Sequence, residues 1–166
     1  MDRAATVSAL EAAGVVAVIR LKEAASLRAV VDALADGGVR ALEVTMSVPG
    51  AIGRIAEIAP TLPPEVVLGA GTVLDAETAR AAVAAGARYV VSPVLRIGLV
   101  AACHELGAAA MPCYFSPTEI LTAWEAGVGG NWVGFGGMEE IKELLGVPAD
   151  RELLAILPFG YPAKAV

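Results

Sequence analysis

A chain of 166 residues is long enough for one domain with a buried core, and 57% hydrophobic with only 5% aromatic content suits buried parallel strands under small-residue helices. Twelve basic against 18 acidic side chains leave a net charge of −6, which gives no general attraction to nucleic acid or an anionic membrane. No apolar run approaches the roughly 20 residues of a membrane-spanning helix, and the N-terminus lacks the apolar stretch of a signal peptide.

The pattern along the chain alternates strand and helix. Residues 4–12 read as a short helix ended by Gly14, and the run 15–20, closed by Arg20, reads as a buried strand. Ser26 is placed to cap a helix over 26–36, whose Leu27, Val30, Val31 and Leu34 share one face. A strand at 41–46, a helix at 49–58, a strand at 65–72 and a helix capped by Asp75 follow. A strand at 89–93, a helix at 97–105 and a strand at 108–112 continue the rhythm. Ser116, Pro117 and Glu119 form a capping box with proline at the first helical position. The stretch 127–135 reads as a sixth strand. Glycines 14, 38, 86, 107 and 127 close helices at intervals of twenty-odd residues, the period of a repeated βα unit.

The fold class expected is α/β: a partial (β/α) TIM-like barrel of about (βα)6β7, either incomplete or closed by oligomerisation. A doubly wound open sheet is the alternative, weakened because no GxGxxG follows the first strand. A β/α barrel carries its site at the C-terminal ends of the strands, where this sequence offers Arg20, Glu43, Thr45, Thr72 and Ser92. Arg20 suits a substrate carboxylate, and Glu43 suits general acid/base work if burial raises its pKa. Thr72 suits positioning of a substrate oxygen. Equally, Arg20 and Glu43 could pair with each other as structure, and Thr72 could be a turn hydroxyl. His104 reads as a helix-face residue and Cys103 as a small buried hydrophobe, while Cys113 follows a proline at a strand end with no basic partner. The two cysteines form no disulfide or zinc pattern, and no His, Asp and Glu group has metal-ligand spacing. The expectation is a reduced, cytoplasmic protein with no metal and no cofactor, whose partner is a small anionic substrate.

The segments 42–46, 68–74, 91–93 and 111–112, followed by Ser116-Pro117-Thr118-Glu119, occur in order over residues 8–128. Together they closely resemble the bifunctional 2-keto-3-deoxy-6-phosphogluconate / 4-hydroxy-2-oxoglutarate aldolases. That resemblance implies a class I aldolase on a (β/α)8 barrel, splitting its substrate to pyruvate and an aldehyde through a lysine Schiff base. It implies that Glu43 is the general acid/base, Thr72 the pocket hydroxyl and Arg20 an anion contact. It also places the Schiff-base lysine on the sixth strand, where Gly129–Phe135 carries none. The chain has three lysines, Lys22, Lys142 and Lys164; Lys22, just after the first strand, is the candidate surrogate nucleophile. The family's Pro-Gly after the fifth strand is Pro112-Cys113 here.

Residues 129–166 resemble the C-terminal part of the FMN-dependent nitroreductases, through the Glu-rich helix ending Leu-Gly-Val-Pro and the closing Gly-Tyr-Pro. The expectation is therefore a chimera in one domain: aldolase-like units over 1–128 and a nitroreductase-like β-α-β over 129–166. Its leading functional reading is an aldolase-derived protein without efficient catalysis. The alternatives are a working pyruvate-type lyase and a flavin-binding fragment. An uncovered edge beyond the last strand predicts homo-oligomers.

Overall fold

The structure, a computed structural model, describes residues 1–130 and the two-residue strand Phe159–Gly160. Helix α1 (Arg3–Ala13) starts at Asp2, whose carboxylate accepts from the Ala5 amide at 2.8 Å. It ends at Gly14, whose φ of 68° is open to a residue without Cβ. Strand β1 (Ala17–Ile19) is shorter than the run 15–20 expected of it. Among the described residues it has a single neighbour in the sheet, so its ends lack a second described ladder to hold them extended.

A 3-10 turn, Ala24–Ser26, leads into α2 (Leu27–Asp36). Ser26 is already helical in φ and ψ and makes no side-chain cap, which corrects the expectation for it: the turn replaces the cap. Strand β2 (Ala41–Thr45), α3 (Ala51–Ile58), β3 (Val67–Gly71) and α4 (Ala76–Ala84) follow. The chain continues with β4 (Tyr89–Ser92), α5 (Ile97–Glu105), β5 (Ala109–Pro112) and α6 (Pro117–Glu125). Asp75 caps α4 through the Thr78 amide at 2.7 Å. Ser116 caps α6 through the Glu119 amide, and the Glu119 carboxylate reaches back to the Phe115 amide at 2.9 Å.

The five strands form one parallel sheet in sequential order, β1 to β5. Helices α2 to α6 all cover the same face, contributing Leu27, Val31, Ile55, Leu99, Val100 and Ala123 to the main core. Sequential order with helices on one face is the arrangement of a β/α barrel, and it sets aside the doubly wound sheet, which needs helices on both. On the other face, Val67, Tyr89 and Ala109 form a second, smaller cluster against Val7 and Leu10 of α1. These three are the first residues of their strands, so α1 plugs the N-terminal end of the inner face.

Among the described residues the sheet does not close on itself. Val18 of β1 lies in the inner-face row yet is 52% exposed. An apolar cavity of about 260 Å³ opens at the strand starts, between α1, the residues before β1, β5 and Val128. Of the expected sixth and seventh strands, most residues lie outside those described, and the described ones do not extend the parallel sheet. Strand β6 (Gly129–Gly130) pairs antiparallel with β7 (Phe159–Gly160) as a separate ladder. Two glycines carry no side chains to fix one face toward a core, so backbone pairing alone decides their partner. The rest of the segment expected to resemble nitroreductases, including Trp132, Lys142 and Lys164, lies outside the described residues. No helix among those described is long and apolar enough to cross a membrane.

Candidate functional site

In a parallel sheet one register row crosses all strands on the same face. Here Val18, Glu43, Gly69, Tyr89 and Ala109 form one inward row across β1 to β5. Next toward the strand ends come Thr45 paired with Gly71, and Val91 paired with Met111. The two glycines give this face its shape. A methyl group at residue 69 would collide with the Tyr89 ring, and one at residue 71 would fall on the Glu43 carboxylate. Tyr89 therefore lies across bare backbone, and its hydroxyl donates to the Leu42 carbonyl at 2.8 Å. Glu43 leans from its own row toward the mouth, over Gly71.

Glu43 is 6% exposed, and among the described residues nothing donates a hydrogen bond to its carboxylate. Burial pushes its pKa up, and the positive charge of Arg20 pulls it partly back. The described ion pairs are Arg28–Asp32, Arg54–Glu57 and Arg80–Glu105, all on the helical exterior. Arg20 thus acts on Glu43 through space rather than by direct contact. Arg20 itself is exposed, one residue past β1.

Thr72 follows Gly71 directly and has φ of 60°. The left-handed region is unfavourable for a β-branched residue by roughly 1–2 kcal/mol, so the neighbours must impose it. They do: the Met46 amide donates to the Gly71 carbonyl at 2.8 Å, and the Val73 amide to the Val91 carbonyl at 3.1 Å. Such enforced backbone is a mark of functional sites.

The other expected residues are placed differently. Thr45 is fully buried; its hydroxyl donates to the Ile19 carbonyl at 3.2 Å and shares a 2.6 Å hydrogen bond with Ser47. It ties β2 to β1. Ser92 alternates to the outer face and accepts from the Val94 amide at 3.4 Å. Lys22 is exposed, three residues past β1. Arg20 and Thr72 thus directly follow β1 and β3, Glu43 lies in β2 within electrostatic reach of Arg20, and Lys22 comes two residues after Arg20, while the hydroxyls of Thr45 and Ser92 are engaged in the frame. His104 is part-buried on α5, held toward its neutral form by burial and by Arg3.

Cys113, expected near the mouth from its place after Pro112, joins the site, and so does Tyr89, which sequence reasoning had not placed there. Cys113 continues the inward alternation of β5 past Met111, and its amide donates to the Ser92 carbonyl at 2.8 Å. Its thiol is pushed up by burial and then by the charge of Glu43, which puts the two groups within electrostatic reach across the mouth. Tyr89 was visible only as a strand residue. The signal that could have found it is the spacing Gly69-Ala70-Gly71, two glycines on one face of a strand, which marks close approach by other side chains.

Chemically, this is an acid kept toward neutrality by burial, within electrostatic reach of a guanidinium. It suits proton transfer on a small anion. Among the described residues no three His, Cys, Asp or Glu side chains are grouped to hold a metal.

Comparison with known proteins places this geometry. The family model described as "KDPG and KHG aldolase" matches residues 7–160, and so runs past the junction expected near residue 128. A 2-dehydro-3-deoxy-phosphogluconate aldolase of Treponema pallidum is 41% identical over 120 residues, which are 72% of this chain and 57% of that protein. The Haemophilus influenzae enzyme of the same name is 34% identical over 152 residues, covering 88% of this chain and 69% of its own. Among solved structures, a KDPG aldolase of Legionella pneumophila, with pyruvate captured as a covalent carbinolamine, superposes at a TM-score of 0.67 and 28% identity over 86% of this chain and 70% of that one. The chain spans little more than half the length of the Treponema relative.

Proposed function

This chain belongs to the KDPG and KHG aldolase family, and on that premise we propose that its mouth binds a 2-keto acid and takes part in aldol cleavage. The substrate class is a 2-keto-3-deoxy (phospho) sugar acid or 4-hydroxy-2-oxoglutarate, giving pyruvate and an aldehyde. The observation that carries this reading is the Glu43 carboxyl, buried without a hydrogen-bond donor among the described residues and resting on Gly71 beside the charge of Arg20.

The roles follow from the chemistry. Arg20 takes the substrate carboxylate and Thr72 a substrate oxygen. A lysine amine adds to the C2 ketone and loses water to give the iminium. Glu43 then accepts the C4 hydroxyl proton while the C3–C4 bonding electrons move to the iminium nitrogen, releasing the aldehyde. The same carboxyl returns its proton to C3, and water frees pyruvate and the amine. A raised pKa keeps Glu43 able both to take and to give that proton near neutrality. Lys22 is the lysine among the described residues, and it stands at the rim.

A second reading has one sequence observation in its favour: Gly129–Phe135 holds no lysine where the resemblance puts one. In it the chain is a chimera that keeps the pocket and has lost the nucleophile. The family match to residue 160 favours the lyase reading. Borohydride trapping with pyruvate, followed by peptide mass mapping, separates the two. An adduct on Lys22 supports the lyase with that nucleophile, and one on Lys142 or Lys164 supports the lyase with the amine drawn from the C-terminal segment. An unmodified protein overturns the lyase reading. A colourless protein that leaves FMN fluorescence unchanged disposes of the flavin alternative. Homo-oligomers are also proposed, from the open β1 and β5 edges, and a solution mass equal to one chain would contradict them.

A further inference from the structure

Glu43 could lie flat across the sheet within its own row, because its partner there, Gly69, has no side chain. It does not. The space over Gly69 is filled by the ring of Tyr89, which enters from the other side of the same row. The ring is fully buried and fixed at its far end, where the hydroxyl donates to the carbonyl of Leu42, the residue preceding Glu43. With that direction blocked, the Glu43 chain turns toward the strand ends and rests on the next bare position, Gly71.

We propose that Tyr89 is a positioning residue for Glu43: its ring, seated on Gly69 and pinned to the Leu42 carbonyl, is the floor that lifts the carboxyl to the mouth and keeps water from beneath it. The inference rests on the acid/base role of Glu43 given above. Among the described residues, the charged and titratable groups facing that carboxyl are Arg20 from the end of β1, Tyr89 from β4 and Cys113 from the end of β5; β3 offers only glycines there. Burial and the neighbouring carboxylate both hold the phenol in its neutral form, so it remains a donor through the whole range in which Glu43 titrates.

The test is the titration of Glu43, followed by carbon-13 NMR of the side-chain carboxyl in the full-length protein and assigned with Glu43→Gln. In the unaltered protein the midpoint should lie above the ordinary glutamate value, and the Tyr89 ring resonances should shift with the same midpoint. Tyr89→Phe keeps the ring but releases the pin. The Leu42 carbonyl then recruits water beneath Glu43, and the midpoint should fall by about half a unit or more. Gly71→Ala displaces the carboxyl directly and should lower the midpoint by an independent route.

A Tyr89→Phe midpoint within about 0.2 unit of the parent, with Gly71→Ala shifted, overturns the proposal and leaves Tyr89 a packing residue. Tyr89 resonances that ignore the Glu43 titration in the unaltered protein overturn it without any variant. A shifted midpoint in Tyr89→Phe, together with no pyruvate adduct on the parent, supports the positioning role and removes the lyase reading instead.

Discussion

The two faces of the five-stranded sheet are built from alternate residues of the same strands. Outward, Leu42, Val44, Leu68, Ala70, Val90 and Ala110 are none of them more than 2% exposed. They meet residues from five helices, and any one of them has many partners. Inward, a few unequal side chains fit around two absent ones: Tyr89 over Gly69, Glu43 over Gly71. The outer face distributes its stability over many contacts, each large side chain contributing about 1.5–3 kcal/mol of burial. The inner face trades that redundancy for a carboxyl to which none of the described residues donates and a strained threonine, both unfavourable to folding and useful for chemistry.

Substitutions can break or sharpen this contrast. Leu68→Ala, on the outer face beside Gly69, should have the largest effect, a loss of about 2–5 kcal/mol by urea denaturation. It should leave the Glu43 titration in place. Gly69→Ala adds a single methyl to the inner face, yet the stiff Tyr89 ring must move to admit it; about 1–3 kcal/mol should be lost. Unlike the outer substitution, it should also displace the Glu43 midpoint. Should both behave alike, the two faces are not functionally distinct.

Thr72→Gly should reverse the usual sign and raise stability by about 1 kcal/mol, because glycine accepts φ of 60° without strain. Borohydride-trapped pyruvate should fall in the same variant. Equal trapping would show that the hydroxyl does not position substrate. The smallest effect is in pH dependence. Glu43 has a folded-state pKa above its unfolded value near 4.5, so the folded state binds more protons in that window. Its contribution is present below the unfolded pKa and is lost as pH rises through the folded pKa. Glu43→Gln should flatten this decline and be the more stable protein at neutral pH; a decline that persists unchanged would assign it to other groups.

Much of the frame could be read from the chain. Glycine and side-chain caps punctuate helices through local hydrogen bonds, so the helix over 97–105 and the capping box at Ser116 emerged where expected. Strand ends were less legible. The run 15–20 is apolar up to Arg20, but only Ala17–Ile19 has a ladder, since pairing depends on a neighbour and not on composition. At the site, Glu43 stood out because a carboxylate inside an apolar strand is unusual. Thr45 and Ser92 looked equivalent to Thr72, yet their hydroxyls are engaged by the Ile19 carbonyl and the Val94 amide, partners that only the fold brings near. Tyr89 escaped notice because an aromatic residue in a strand is ordinary. Its role comes from Gly69, twenty positions earlier, and from a carbonyl on a third strand.

The seating of Tyr89 on Gly69 also bears on how such a chain can change over generations. Neither position can vary freely by itself. A side chain gained at 69 meets the ring, and a ring reduced at 89 leaves a void above bare backbone. Across homologous sequences the two sites are therefore expected to covary, a small residue at one accompanying a large planar one at the other. Routes between alternative pairs pass through an intermediate that is either crowded or hollow, and the pair should drift more slowly than the surface around it.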